Sequence, residues 1–430
     1  MRIGLQTWGT EGDIRPFFAL TQALAARGHE VRLLYTNIEG RTHDALAAGC
    51  GIDARSVASD YFLANREEVA ARLAAVFAVS NPLRQIRGIL EAAMDPVVDA
   101  LFDAGLELAA KSDALVGHFI THTAGAAAAV HQRPYVIVSL APVLPSAHYA
   151  PIGTPDLGRL LNPLLWKLMG RTLESVMRDR VNRTRTRAGL PLVQNLLGST
   201  LDHAILALTA VSPTLFPRPV DWDPRIQVPG FLSIPEAAEA WEPEPGLRAF
   251  LEADSPPAFL SFGSMLNIVG EPAVDAVQAM VGAVEIAGAR GVIQAPPHIV
   301  AKLATSDRVH FITRAPHARL FPSCSVIVHH GGAGTTHSAM LAGRPSIVVP
   351  HVADQFFWGD RLRVRGIGSK PLPRTKLTAA ALASRLRATI DDAKMRDKAE
   401  EAGIAIRAET GPARAAELIE AAIVAHLAAR

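Results

Sequence analysis

Cysteine is almost missing from this chain: among 430 residues only Cys50 and Cys324 occur, in opposite halves. One distant pair makes neither a disulfide framework nor a zinc-ligand spacing, so a reducing cytoplasmic compartment is expected. An excess of one charge is missing too. Lys plus Arg number 43 against 41 Asp plus Glu, a formal net charge of +2, which excludes a global basic surface for nucleic acid. No apolar run approaches the ~20 residues of a spanning helix, and Met1-Arg2-Ile3-Gly4-Leu5-Gln6-Thr7-Trp8 lacks the apolar core of a signal peptide. No integral membrane segment is therefore expected. What is present is 49% hydrophobic residues, enough for large cores, and a length that suggests two or three domains.

The patterning is that of an α/β protein. Ile3–Thr7 reads as a strand, Pro16–Ala26 as a helix closed by Gly28, and His29–Tyr35 as a second strand. Ala114–His118 and Pro134–Ser139 extend the sheet, and long helical patterns follow between Leu144 and Leu197. Eight prolines from Pro213 to Pro245 then interrupt all periodicity, marking a domain boundary. Alternation restarts at Ala258–Ser264 and runs through Gly291–Gln294, Val309–Ile312, Cys324–Val328 and Pro345–Pro350. The expected layout is residues 1–215 as a Rossmann-like domain, 216–245 as a proline-rich linker, 246–410 as a second Rossmann-like domain, and 411–430 as a helix returning to the first. Two doubly wound domains would then face each other across a cleft, with ligands at the carboxyl ends of the strands.

The densest motif is His329-His330-Gly331-Gly332-Ala333-Gly334-Thr335-Thr336, followed by Asp354-Gln355. Its glycines lie between a strand and the first turn of a helix, where free amides and the helix dipole form an anion site. Thr335 and Thr336 add hydroxyls, and His330 adds a donor able to carry charge. That suits a diphosphate. Simple helix capping is one alternative. A nicotinamide-type fingerprint is another, but position 337 is His where a third glycine is required, and Asp354 lies beyond a second strand.

The segment RAPHARLFPSCSVIVHHGGAGTTHSAMLAGRPSIVVPHVADQFFWGDRL, continued by GIGSKPLPRTKLT, resembles the donor-binding motif of inverting GT-B glycosyltransferases that use nucleotide-diphosphate sugars. The likeness is strongest to the sterol glucosyltransferase and glycopeptide-antibiotic glycosyltransferase branch. A second match is Gly9-Thr10-Glu11-Gly12-Asp13-Ile14-Arg15-Pro16-Phe17, similar to the family's N-terminal loop. With weaker similarity between them, the resemblance covers essentially the whole chain.

The resemblance implies roles. His330, Gly332, Ala333, Gly334, Thr335 and Thr336 would hold the diphosphate, together with Ser264, whose other reading is a helix cap. Asp354 and Gln355 would bond the hexose hydroxyls. Arg314 and Ala315 would read the pyrimidine edge beside His317; relatives often carry tryptophan at position 314, which leaves uracil and thymine both open. Asp13 would be the general base that takes the acceptor proton during in-line, inverting displacement. Asp13 also reads as a plain N-cap before Pro16. Thr10 would help orient the substrates. No metal or other cofactor is implied: the nucleotide sugar, UDP-glucose or a dTDP-sugar, is a co-substrate.

The acceptor expected is a small hydrophobic molecule such as a sterol or polyketide. Its pocket is sought among the apolar stretches around Phe62, Phe77, Met94, Phe119, Leu144, Trp166 and Met169. No motif encodes an oligomeric state. A nucleotide-binding protein without transfer, or a Rossmann oxidoreductase, is the alternative. Other features are set aside. Asp221-Trp222-Asp223 has a metal-transferase spacing but lies in the proline-rich stretch. His329 should pack inward, opposite to His330. Trp358 reads as a core aromatic, and Arg178, Arg180, Arg183, Arg185 and Arg187 read as a solvated helix face.

Overall fold

The computed structural model describes all residues except 80, 197–200, 235–240, 254, 264, 269–270, 305 and 430. The chain divides into two compact units, Met1–Pro235 with Thr410–Arg430, and Glu236–Glu409.

Among the described residues, the first unit holds a seven-stranded sheet in the order β3-β2-β1-β4-β5-β6-β7. The strands are β1 (Arg2–Gly9), β2 (Glu30–Asn37), β3 (Asp53–Ser56), β4 (Ala114–His118), β5 (Tyr135–Ser139), β6 (Leu206–Thr209) and β7 (Ile226–Gln227). All pairings are parallel, with Ile3 opposite Ala114 and Gln6 opposite Gly117. The central strands read as continuous apolar runs because helices cover the sheet. Gln6 is the buried polar exception. Its amide donates to the Leu101 carbonyl at 2.7 Å and its oxygen accepts from Thr123 at 2.8 Å, so the group is satisfied.

The helix Glu11–Ala26 starts earlier than its apolar pattern suggests, with Pro16 inside it. Its core face is Ile14, Phe17, Phe18, Leu20 and Leu24, all at 0% exposure, and Gly28 at φ +83° stops it. The last helix, Gly411–Ala428, lays Ala415, Ile419 and Ile423 into the same core. Each fully buried Ile contributes about 2–3 kcal/mol. The surface pair Arg27–Glu420 at 2.5 Å adds under about 1 kcal/mol.

The stretch 216–245, expected as a linker, is instead packed onto the first unit as far as residue 234. Ile226–Gln227 adds β7 to the sheet, and Trp222 is buried with its indole N–H on the Pro145 carbonyl at 3.0 Å. The Arg218 guanidinium donates to the carbonyls of Ile226, Trp222 and Asp223. Pro217, Pro219, Pro224 and Pro229 here shape turns rather than a loose tether.

The second unit repeats the same plan on a smaller scale. Among the described residues its five parallel strands run β10-β9-β8-β11-β12. They are β8 (Ala258–Ser261), β9 (Gly291–Gln294), β10 (Val309–Ile312), β11 (Val326–His329) and β12 (Ser346–Val348). Strand order reverses between β1 and β4 in the first unit and between β8 and β11 in the second. Those two switch points are where ligands of doubly wound sheets bind.

Candidate active site

At the switch point of the first unit, the loop after β1 turns into the helix Glu11–Ala26. Thr10 is the N-cap and Asp13 is the third helical residue, so Asp13 is not the N-cap that its place before Pro16 suggested. The two residues close a capping box. Oδ2 of Asp13 accepts from the Thr10 amide at 2.8 Å and from the Thr10 hydroxyl at 3.1 Å. The other oxygen, Oδ1, faces His118 Nε2 at 4.0 Å. His118 ends β4, the strand beside β1, and its ring packs edge-on to Phe17 at 5.9 Å. Burial lowers the His118 pKa while the Asp13 charge opposes that shift, and Nδ1 has no partner. The sequence reading placed the strand Ala114–His118 but missed this histidine. The signal was its position: the last residue of a strand at the switch point, beside the first loop.

At the switch point of the second unit, β11 leads into the loop 330–332 and the helix Ala333–Leu341, N-capped by Gly332. The pairing of His329 with Ser261 sets this loop beside the one that follows β8. His329 is wholly buried, and its Nδ1 accepts the Gly331 amide at 3.1 Å. His330 lies between two glycine turns. A Cβ at Gly332 would sit 2.5 Å from His330 Nε2, and one at Gly263, where φ is +55°, would sit 3.4 Å from Cε1. Gly331 has φ +94°, and a Cβ there would meet the Gln355 carbonyl at 2.8 Å. The glycines thus hold the imidazole in place and bring the loop against the following helix.

His330, a donor able to carry charge, is held neutral. Burial, reinforced by His351 and His317, pulls its pKa down to about 3, so the ring is a neutral donor near pH 7. No side chain caps the helix Ala333–Leu341, and its first turn is partly exposed at Ala333, Gly334 and Thr335. Thr336 is fully buried with a hydroxyl that has no partner. The Cys324–Ala342 region therefore presents free backbone donors beside a neutral imidazole, an arrangement that receives an anion.

Gln355 departs from expectation. Its side-chain oxygen accepts the amides of His351 at 2.7 Å and Val352 at 3.2 Å, closing a capping box on the helix Ala353–Arg365, while its Nε2 faces Met265 Sδ at 3.7 Å. Only the NH2 end remains for a ligand. Asp354, one residue before, is partly exposed in the first helical turn. Arg314 is exposed, Ala315 is buried, and His317 stacks on Phe321 at 4.3 Å. Ser264 lies outside the described residues.

Several side readings find their explanation. Trp358 is at 0% exposure in the core of the second unit. Asp221 binds the Ser146 hydroxyl and the Ala147 amide, and Asp223 pairs with Arg225, which holds its carboxyl down at about 2. That spacing therefore serves loop structure. Phe62, Met94, Leu144 and Trp166 are buried core residues rather than an open pocket lining, Phe119 is half-buried, and the Phe77 side chain lies outside the described residues. In the arginine row Arg178, Arg183 and Arg187 are exposed, as a solvated face requires, although Arg178 pairs with Glu174 and Arg187 bridges Asp99 and Asp103; Arg180 is half-buried on Asp95, and Arg185 is buried on the Pro191 carbonyl.

Solved structures match this architecture over the whole chain. The glycotransferase of kitacinnamycin aligns with a TM-score of 0.71 at 19% identity, covering 98% of this chain and 99% of that one. Glycosyltransferase VinC, solved in complex with dTDP, aligns with a TM-score of 0.65 at 21% identity and the same coverage. The fold class is GT-B, two Rossmann-like parallel-sheet domains.

Family models narrow this further. Residues 3–122 match the glycosyltransferase family 28 N-terminal domain, and residues 292–422 match the erythromycin biosynthesis protein CIII-like C-terminal domain. O-mycaminosyltylonolide 6-deoxyallosyltransferase of Streptomyces fradiae is 30% identical over 98% of this chain and 97% of its own length. A sterol 3-beta-glucosyltransferase of Arabidopsis thaliana is 30% identical over 96% of this chain; the chain spans 64% of that relative's length, and 62% of a second from the same plant. The chain belongs to the GT-B UDP-glycosyltransferase family.

Proposed function

We propose that the protein is an inverting, metal-independent glycosyltransferase of the cytoplasm. It moves a hexose, glucose in the first instance, from a UDP- or dTDP-sugar to a hydroxyl of a small hydrophobic acceptor such as a sterol or polyketide. The observation that carries the reading is the pair of switch-point loops, each furnished for one half of the reaction. In the first, Asp13 keeps one oxygen in the capping box and leaves Oδ1 beside an otherwise unpartnered imidazole. That oxygen takes the acceptor proton as the acceptor oxygen attacks the anomeric carbon. Thr10 fixes the carboxylate's rotamer, and His118, kept neutral by burial, orients the free oxygen.

In the second loop, the amides of Ala333, Gly334 and Thr335 and the His330 ring meet the diphosphate, and the helix dipole stabilises the leaving-group charge. Gly332 leaves room for that ring. Thr336 adds a hydroxyl and Ser264 joins the diphosphate contacts, Asp354 with the Gln355 amide holds the hexose, and Arg314, Ala315 and His317 form the nucleotide side. The relatives' printed names, a deoxyallosyltransferase and sterol glucosyltransferases, support the reaction class and leave the acceptor to experiment.

The test is calorimetric titration of UDP, dTDP and NAD into the wild type and His330→Ala, with chelator present. Diphosphate binding that weakens about tenfold or more in the variant supports the donor site, and the preferred base names the nucleotide. NAD binding, or binding of none of the three, overturns the reading.

A further inference from the structure

The helix Asn162–Arg187 is fastened along one side only. Trp166 is buried with its indole N–H on the Tyr149 carbonyl at 2.9 Å, and the buried Asn162 donates to the Ala147 carbonyl at 3.1 Å. The opposite side of its first turns is apolar and bare. Leu160 is 92% exposed, Leu164 65% and Leu168 59%, with Leu157 and Leu161 about half exposed beside them. Positions 160, 164 and 168 are four apart, so they form one ridge along the helix and the turn before it.

Scattered exposed leucines need no explanation, but a contiguous apolar ridge on a soluble face does. Its charge pattern is one-sided. Arg159, Lys167 and Arg171 flank the ridge, all exposed, and none of the three forms an ion pair among the described residues. No acidic residue occurs from Leu157 to Leu173. Lower down the same helix Arg178, Arg180 and Arg187 are tied to Glu174, Asp95, Asp99 and Asp103, while Arg183 is exposed without an ion pair among the described residues. The leucine ridge thus carries three exposed cations without an acidic neighbour in the same stretch.

We infer that the ridge Leu157–Arg171 is an interfacial docking face for an anionic lipid surface. The leucines enter the boundary between headgroups and acyl chains, and Arg159, Lys167 and Arg171 meet lipid phosphates. Long basic side chains suit this position because their stems lie along apolar surface while the charges reach out. Docking here is peripheral: no helix among the described residues is long and apolar enough to cross a membrane. The inference stands apart from the transfer reading, since vesicle binding is measured without donor or acceptor.

The experiment is flotation of the full chain with vesicles of phosphatidylcholine alone and of phosphatidylcholine mixed with phosphatidylglycerol. Variants are Leu160→Asp with Leu164→Asp, the triple Arg159→Glu, Lys167→Glu, Arg171→Glu, and Val220→Asp as a control at another exposed apolar site of the same unit. Circular dichroism melts confirm that all are folded. The wild type and the control should bind the mixed vesicles, weakly or not at all the neutral ones, and less at high salt. The leucine pair and the charge triple should each lose about tenfold or more of the bound fraction. Absence of wild-type binding, or equal binding by the leucine pair, would overturn the inference. Self-association of the wild type that the leucine pair abolishes, without vesicle binding, would also overturn it and assign the ridge to a second copy of the chain.

Discussion

Replacing Asp13 by Asn keeps an oxygen able to accept the Thr10 amide and hydroxyl, yet removes the group that takes a proton. The proposed role therefore separates from the structural one. Asp13→Asn should lower kcat about 10²–10⁴-fold with the melting temperature unmoved. Asp13→Ala should lose the same activity and, in addition, about 1 kcal/mol of capping, a fall of about 2–4 °C. Equal kcat in the Asn variant and the wild type would leave Asp13 as a cap only. At this scale the sequence located His330 and Asp13 through their loops, but not their states. Burial, which makes His330 neutral, is a tertiary property, and the capping bonds of Gln355 depend on where a helix begins. His118 escaped because its partner lies far away in sequence and becomes adjacent only through the β1–β4 pairing.

Elements decide how those residues are held. Gly332 has φ −62°, a conformation open to any residue, so alanine there brings no backbone strain. Its Cβ would, however, fall 2.5 Å from His330 Nε2. Gly332→Ala should therefore weaken diphosphate binding about tenfold or more while changing global stability by under about 1 kcal/mol, read by titration and thermal melting on the same sample. Unchanged affinity would show that diphosphate binding does not depend on the position of the His330 ring. The glycine loop was legible because strand, loop and helix signals lay in one short window. Other elements were not. β7 is two residues long, β6 is a four-residue run between irregular segments, and β3 is the half-exposed, polar Asp53–Ser56. Their identity comes from pairing with neighbours rather than from local propensity. Pro16 likewise drew the helix start too far along, since proline favours a first turn, whereas Thr10 and Asp13 cap the helix a turn and a half earlier.

Across the whole molecule, histidines held low by burial occur in both units, and that has a consequence for stability against pH. His329 and His330 are held down at about 3, His337 and His351 at about 4, all in the second unit and all chiefly by burial. In the first unit His122 is held at about 4, and His118 and His43 are also lowered, chiefly by burial. Above the unfolded value of about 6.5 every one of these rings is neutral in folded and unfolded chains alike, and contributes nothing to the pH dependence. Below it the unfolded chain takes up protons that the folded chain refuses, so stability falls as pH drops. Each ring contributes up to about 1.4 kcal/mol per pH unit until its folded pKa is reached. Four such rings remove several kcal/mol from the second unit by pH 5.5, on the order of half of a typical domain's stability. Scanning calorimetry at pH 7.5 and 5.5 should show melting moving down in both units, by the larger amount in the second. His337→Gln should shrink the shift by about one ring's share, since a neutral amide takes no proton. Melting temperatures equal at the two pH values would mean that these rings reach solvent and protonate while the protein stays folded.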